Sequence, residues 1–152
     1  MMVPPRLSQS LAQDSDKHSK LDYLLDDLVK VDVYILADKA YKALPGLLAD
    51  HHLTVQGRLK RGFLTDNEGY SHKVIIIGKA TDENGRLIHI IGEGKSQLSQ
   101  NDIDRFLRRK LKPFEGVYDP IFPILITHMT TSPDVEAYAE SNGIALYYSY
   151  EF

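Results

Sequence analysis

The 152-residue sequence contains no cysteine and no tryptophan. Without cysteine the chain has neither a disulfide framework nor a thiolate zinc site, which favours a reducing compartment. Its longest uncharged apolar runs, residues 74–78 and 121–126, are too short to cross a bilayer, and residues 1–20 lack the apolar segment of a signal peptide. The sequence therefore predicts a cytoplasmic protein with no membrane partner.

A large charge of one sign is also missing, since the formal net charge is −3. This argues against strong nonspecific binding of nucleic acid by the whole chain, but local basic patches remain. A chain of this length with 43% hydrophobic residues buries one sizeable core. We expect a disordered leader at residues 1–20, where apolar residues are scarce, a helical extension at residues 21–36 and one domain at residues 37–152.

The extension carries a heptad-like apolar stripe with alternating spacings of three and four residues, formed by Leu21, Leu24, Leu28, Val31 and Ile35. Residues 29–35 also alternate as a strand would, but the Ala, Lys and Leu content of residues 37–44 favours one long helix ending near Leu44, before the Pro45-Gly46 break. The stripe predicts a coiled-coil-like helix and a homo-oligomer formed through it. Packing of the stripe on the domain is the alternative.

Five segments have the composition and alternation of β-strands, namely residues 53–64, 73–80, 87–95, 121–127 and 144–152. The second and third are joined by a turn that ends in Asn84-Gly85, which predicts an antiparallel hairpin. A short helix at residues 134–141, with Pro133 before it, separates the last two strands and predicts a right-handed parallel crossover. The sheet should therefore be mixed.

Two basic patches accompany these elements. Ser99 and Asp102 form a capping box that opens a helix, and this helix carries Arg105, Arg108 and Arg109. The other patch, on the first predicted strand, consists of Arg58, Lys60 and Arg61. Both patches are candidate nucleic-acid-binding surfaces, and a solvated charged face is the competing interpretation.

The third strand ends with an acid and a base on one face. Alternation places His89, Ile91, Glu93 and Lys95 on the same side of the strand. A carboxylate beside an ammonium suits metal-assisted phosphodiester hydrolysis, in which the carboxylate holds Mg²⁺ and the lysine orients water or offsets charge on the phosphate. A surface ion pair of little energetic value is the structural alternative.

The element order, with GEGKSQLS at residues 92–99 ending the third strand and DIDRFL at residues 102–107 opening the next helix, resembles the PD-(D/E)xK nuclease superfamily. It is similar to uncharacterised prokaryotic proteins with an N-terminal helical or coiled-coil segment. The resemblance implies an α/β, restriction-endonuclease-like three-layer core with a mixed central sheet, preceded by a helical extension. It also implies DNA as partner, Glu93 as a Mg²⁺ ligand, Lys95 acting on water or phosphate, and assistance from Gln97.

One part of the family pattern is missing. Antiparallel pairing about the Asn84-Gly85 turn places Val74 or Ile75 opposite Glu93, where an Asp should complete the metal site. The candidate replacement ligands are Asp66, Glu68, His72 and Asp38. With Glu93 as the only securely placed carboxylate, Mg²⁺ should bind weakly and Lys95 should act as the counter-ion of Glu93.

Two hypotheses follow. In the first, the chain is a divergent nuclease-fold protein that binds or cleaves nucleic acid in a Mg²⁺-dependent manner with an incomplete metal site. In the second, it is a catalytically inactive nuclease-like scaffold or interaction module that oligomerises through its N-terminal helix. The fold alone does not decide between them.

Overall fold

The computed structural model describes the backbone of residues 5–152 and the side chains of residues 21, 24, 25 and 27–152. Its first element, α1, is a helix spanning Pro5–Ala49. Residues 1–4 lie outside the described residues. Helix α1 begins at Pro5, inside the segment 1–20 that was predicted to be a disordered leader, and not near Leu21. Residues 6–44 contain neither Gly nor Pro, so no helix breaker interrupts the backbone there.

Pro45 lies inside α1 and does not end it. The loss of one backbone hydrogen bond at a proline usually kinks or breaks a helix. Here Leu44 and Leu48, on either side of Pro45, are fully buried in the same core, and their packing carries the helix one turn further. The predicted end near Leu44 is therefore five residues too early, because α1 ends at Ala49.

Five strands form one sheet in the order of the sequence: β1 (Thr54–Thr65), β2 (Ser71–Thr81), β3 (Leu87–Leu98), β4 (Ile121–Thr130) and β5 (Ala145–Tyr148). The strands β1, β2 and β3 pair antiparallel, whereas β4 pairs parallel with β3 and β5 parallel with β4. The predicted hairpin and mixed sheet are confirmed. The last strand is shorter than predicted because the chain turns into a 3-10 helix at Ser149–Glu151, where the Glu151 carboxylate accepts the N–H of Tyr148 at 2.8 Å.

Helices cover both faces of the sheet within Val33–Phe152. On one face, the stripe of α1 that contains Leu36, Ala40 and Leu44 packs on Ile76 and Ile124. The other face is covered by α2 (Gln100–Phe106) and α3 (Asp134–Ser141), which enclose Leu98 and Leu125. This is the expected three-layer α/β fold.

The chain divides into two compact units at Asp32 and Val33. The second unit contains the whole sheet and its helices. Within the described residues, no helix is long and apolar enough to cross a membrane.

Candidate active site

A bulge in β2 shapes the surroundings of Glu93. Lys60 pairs with Ile77 and Gly62 with Val74, so β2 contains one residue more than β1 over this stretch. The extra residue interrupts the alternation, and the adjacent side chains of Ile75 and Ile76 both enter the core beneath α1. Bulges of this kind redirect backbone groups and are common beside functional sites.

The bulge frees both backbone polar groups of Ile75 for side-chain partners. Its N–H donates to Glu93 Oε2 at 2.8 Å, and its carbonyl oxygen accepts the hydroxyl of Tyr41 at 2.5 Å. The paired part of β2 and β3 ends at Ile76 and Gly92, so Glu93 lies one step beyond it, opposite Ile75. The strand register therefore agrees with the expectation that an apolar residue faces Glu93.

Glu93 is a half-buried carboxylate in a cationic environment. Burial raises the pKa of its carboxyl, while the hydrogen bond from Ile75 and the charges of Lys110 and Lys73 oppose that rise. The Lys110 ammonium donates to the carbonyl oxygen of Lys73, which fixes Lys110 between the helical segment and β2.

A pocket of about 230 Å³ opens beside Glu93. Leu98, Phe106 and Leu125 form its apolar part. Four cationic side chains and two carboxylates also line it: Lys95, Arg105, Arg109, Lys110, Glu93 and Asp102. The pocket therefore has an excess of positive charge.

The helical segment changes geometry where it borders this pocket. After α2, residues Leu107–Leu111 form a π-helical turn. The turn places the consecutive residues Arg109 and Lys110 at the pocket, whereas Arg108 is exposed and is not among the pocket residues. Single π-turns in helices are often found at functional sites.

Lys95 does not form the predicted ion pair with Glu93. Its ammonium lies 3.8 Å from Asp102 Oδ1, and no Lys95–Glu93 pair within 4.0 Å occurs in the part of the chain that the structure describes. Asp102 also lies 3.4 Å from Arg105, and its Oδ2 accepts the backbone N–H of Ser99 at 2.9 Å in the capping box. Asp102 provides the nearer opposite charge, so the prediction that Lys95 neutralises Glu93 is wrong.

The candidate replacement ligands lie elsewhere. Asp38 pairs with Arg61 at 2.8 Å in a groove between α1 and β1. Asp66, in the turn before β2, bonds to His72 at 2.7 Å, and this bond holds the pKa of the Asp66 carboxyl below its usual range. Glu68 is exposed in the same turn. None of these side chains is among the residues that line the Glu93 pocket.

The remaining predicted residues separate into two groups. Arg105 and Arg109 join Glu93 and Lys95 at the pocket, but Gln97 is exposed near the end of β3 and is not part of its lining. Arg58 and Lys60 line a different cavity, on β1, β2 and β3, and they also line the groove that holds Asp38 and Arg61. The charge run of this helix in the sequence includes Lys110, but Lys110 was not among the predicted site residues, and Asp102 was predicted only as part of the helix start.

The family resemblance implies a Mg²⁺ ion bound by Glu93, but the donor set does not fit a resident ion. No group of three or more Asp, Glu or His side chains with metal-binding geometry occurs among the described residues. One oxygen of Glu93 already accepts the Ile75 N–H, and Asp102 is engaged by its helix cap and two cations. A dication would also face four cationic side chains.

The strand directions, with Glu93 and Lys95 near the end of β3 and the capped helix α2 after them, agree with the α/β fold with a mixed central sheet that the sequence resemblance implies. Similar solved structures include a protein of unknown function, AF1548, with 15% identity and a TM-score of 0.47 over 73% of this chain and 56% of that one.

A repair endonuclease from Pyrococcus abyssi has 12% identity and a TM-score of 0.42 over 70% of this chain and 45% of its own. The MspJI restriction endonuclease, in complex with a 27-mer oligonucleotide, has 16% identity and a TM-score of 0.49 over 85% of this chain and 29% of its own. This chain therefore spans about half or less of each. No family model and no curated protein matches the sequence.

Replacement of Glu93 by Gln should stabilise the fold at neutral pH. The folded-state pKa of Glu93 is raised, so the fold favours the protonated carboxyl. The stability that this protonated form contributes is complete below the unfolded-state pKa of about 4.3 and is lost as pH rises through the folded-state pKa. Gln keeps an oxygen for the Ile75 N–H without the buried charge. We expect the Tm of Glu93→Gln to exceed the wild-type Tm by a few degrees at about pH 8 and to match it at about pH 4.

Thermal unfolding followed by circular dichroism at both pH values measures this difference. Glu83→Gln is the matched control, because Glu83 is an exposed acid in the turn between β2 and β3. A lower Tm for Glu93→Gln at neutral pH would show that the carboxylate is stabilised by its cations more than it is destabilised by burial.

Proposed function

We propose that this nuclease-fold protein binds the phosphodiester backbone of nucleic acid in the pocket around Glu93 and Lys95. The observation that carries the proposal is the excess of cationic side chains over carboxylates at one concave site. Backbone phosphates supply most of the affinity in nonspecific nucleic-acid binding, and Lys and Arg supply the contacts.

The charges surround the pocket from two sides. Lys95 extends from β3, whereas Arg105, Arg109 and Lys110 extend from the helical segment that follows it. Arg guanidinium groups suit bidentate contact with phosphate oxygens. Lys95 is exposed and would add a charge-assisted hydrogen bond to the bound phosphate, once the nucleic acid replaces the 3.8 Å contact between Lys95 and Asp102.

Mg²⁺-dependent cleavage of the bound strand is the finer prediction that the family resemblance implies. The metal-ligand set favours binding over cleavage. The only other carboxylate among the pocket residues, Asp102, is engaged by the helix cap and two cations, so none is free to hold a metal ion together with Glu93. The repair endonuclease and the MspJI–oligonucleotide complex give the choice of DNA as the first ligand to test.

Arg109→Ala should weaken binding of a short single-stranded DNA by at least about tenfold, because a charged hydrogen bond contributes about 1.5–3 kcal/mol and each 1.4 kcal/mol is a factor of about ten. It should also lower the salt dependence of the binding constant by about one phosphate contact. Fluorescence anisotropy at several salt concentrations measures both. Arg108→Ala, the neighbouring residue outside the pocket lining, is the matched control and should change affinity little.

Equal losses of affinity in Arg109→Ala and Arg108→Ala would show a general charge effect and contradict a specific pocket.

A separate experiment tests cleavage. The same single-stranded DNA, with duplex DNA in parallel, is incubated with Mg²⁺ or Mn²⁺, and we expect no cleavage. Cleavage that disappears in both Glu93→Ala and Lys95→Ala would replace the binding proposal with a metal-dependent nuclease.

Self-association is a second candidate function, favoured by the exposure of the predicted stripe. Its five residues are 51–64% exposed: Leu21, Leu24, Leu28, Val31 and Ile35. Large apolar side chains at heptad spacing commonly mark a helix–helix interface. A second copy of the same helix offers the complementary stripe.

Leu28→Glu should therefore shift the chain towards the monomer, because a buried carboxylate in an apolar seam is costly. Sedimentation equilibrium of the full chain across a concentration series measures the change. Lys30→Glu, at an exposed polar position two residues away, controls for the added charge. A wild-type chain that is monomeric at every concentration would exclude this interface.

A further inference from the structure

A second cavity, of about 270 Å³, lies on the face of the sheet that also carries Glu93. His89 and Ile91 line it from β3, and alternation puts both on the same side of the strand as Glu93. His89 precedes Glu93 by four residues, or about 13 Å along the strand. We propose that this cavity binds one nucleotide.

The floor of the cavity is built from two parallel rows across three strands. One row is polar and consists of the paired residues Gln56, Lys79 and His89. The next row on the same face consists of Lys60, Ile77 and Ile91. Three strands span about 10 Å and the two rows lie about 7 Å apart, which gives a flat floor large enough for a base.

Three cations of the cavity have no acidic partner. Arg58, Lys60 and Lys79 are exposed, and none forms an ion pair within 4.0 Å in the described residues. By contrast, Arg61 on the same strand is neutralised by Asp38. The uncompensated positive charge of these three side chains is suited to a phosphate group.

The opposite wall supplies an aromatic surface. Tyr118 is partly exposed, and its ring lies 5.4 Å from the His89 ring in an edge-on arrangement. Phe114 is fully buried and supports Tyr118 through a T-shaped contact, with the two ring centroids 5.6 Å apart. Tyr118 lines the cavity and keeps part of its surface exposed, and bases stack on Tyr rings whatever their sequence.

A flat floor with one polar row and two isoleucines, an aromatic ring and unpaired cations together match a flat base joined to a phosphate. Either a free nucleotide or one nucleotide of a bound strand has this chemistry. The choice of a nucleotide rests on the proposed nucleic-acid binding, but the site uses residues other than those of the Glu93 pocket.

Isothermal titration of the full chain with dAMP tests the site. We expect dAMP to bind at least about tenfold more tightly than deoxyadenosine or inorganic phosphate, since each of these fills only half of the cavity. Tyr118→Ala and Lys79→Glu should each weaken dAMP binding about tenfold or more. Lys39→Glu, an exposed lysine of α1 outside the cavity, is the control and should bind as the wild type does.

The inference is overturned if dAMP binds no better than inorganic phosphate, or if folded Tyr118→Ala and Lys79→Glu both bind dAMP normally. Arg109→Ala separates the two sites, because it should lose affinity for single-stranded DNA and keep it for dAMP. Binding of dAMP by a wild-type chain that does not bind DNA would leave the nucleotide site standing and reject the proposed function. If DNA and dAMP compete for the chain, the cavity holds one nucleotide of a bound DNA strand. If they do not compete, the ligand of the cavity is a free nucleotide.

Discussion

Phe114→Ala should destabilise the fold by about 4 kcal/mol, the largest loss that we expect from a single truncation. Phe114 is fully buried against Val74 and Ile91, and its ring contacts the rings of His72 and Tyr118 at 5.2 and 5.6 Å. Removal of the ring leaves a cavity beneath β2 and β3 that this short segment of chain cannot refill. Equilibrium unfolding in urea measures the loss.

The matched control is Phe63→Ala, because Phe63 is 71% exposed on β1 and its loss leaves no cavity. We expect that variant to lie within about 0.5 kcal/mol of the wild type. Since Phe114 supports Tyr118, Phe114→Ala should also weaken dAMP binding in conditions where it remains folded. A loss below about 1 kcal/mol would mean that neighbouring side chains collapse into the space.

Much of this architecture could be predicted because local signals agree with one another. Asn84-Gly85 dictates a tight turn between two apolar segments, and the turn fixes the pairing of Thr81 with Leu87. The Ser99–Asp102 capping box is present as predicted and starts the helix at Gln100. Each of these features depends on residues close together in the sequence.

The environment of Glu93 could not be predicted in the same way. The bulge at Ile75 depends on how β1 and β2 pair over a long stretch, and no local composition marks it. Without the bulge, the Ile75 N–H would point along the sheet ladder and Glu93 would lack its buried hydrogen-bond donor. Strand register therefore limits how far the sequence alone can assemble the site.

The pairing of Lys95 illustrates the same limit. Strand alternation correctly placed Lys95 on the face of Glu93, and both line one pocket. The nearest carboxylate to Lys95, however, belongs to Asp102, whose position depends on the path of the chain between β3 and α2. Likewise, the π-helical turn decides that Arg109 and not Arg108 reaches the pocket, and a charge run in the sequence does not distinguish the two.

Gly92→Ala should destabilise the fold by about 3 kcal/mol, at the upper end of the range for overpacked cores. A Cβ atom at Gly92 would lie 2.7 Å from the backbone oxygen of Ile124 and 3.1 Å from Ile76 Cβ. The Ile124 oxygen belongs to the β3–β4 ladder and cannot move without breaking sheet pairing. The strand must shift instead, which would displace Glu93 at the next position. Thermal and urea unfolding measure the loss.

Gly94→Ala provides the comparison, because the added Cβ would meet only side-chain atoms, Ile126 Cγ1 and Val33 Cγ1, each at 3.1 Å. Those side chains can yield by a few tenths of an ångström, so Gly94→Ala should cost clearly less than Gly92→Ala. The Gly92 variant should also weaken single-stranded DNA binding at a temperature where it is still folded, since the displaced strand carries Glu93 and Lys95 out of register with Arg105 and Arg109. Equal destabilisation by both substitutions would contradict the view that the backbone oxygen of Ile124, and not general crowding, makes glycine necessary beside the site.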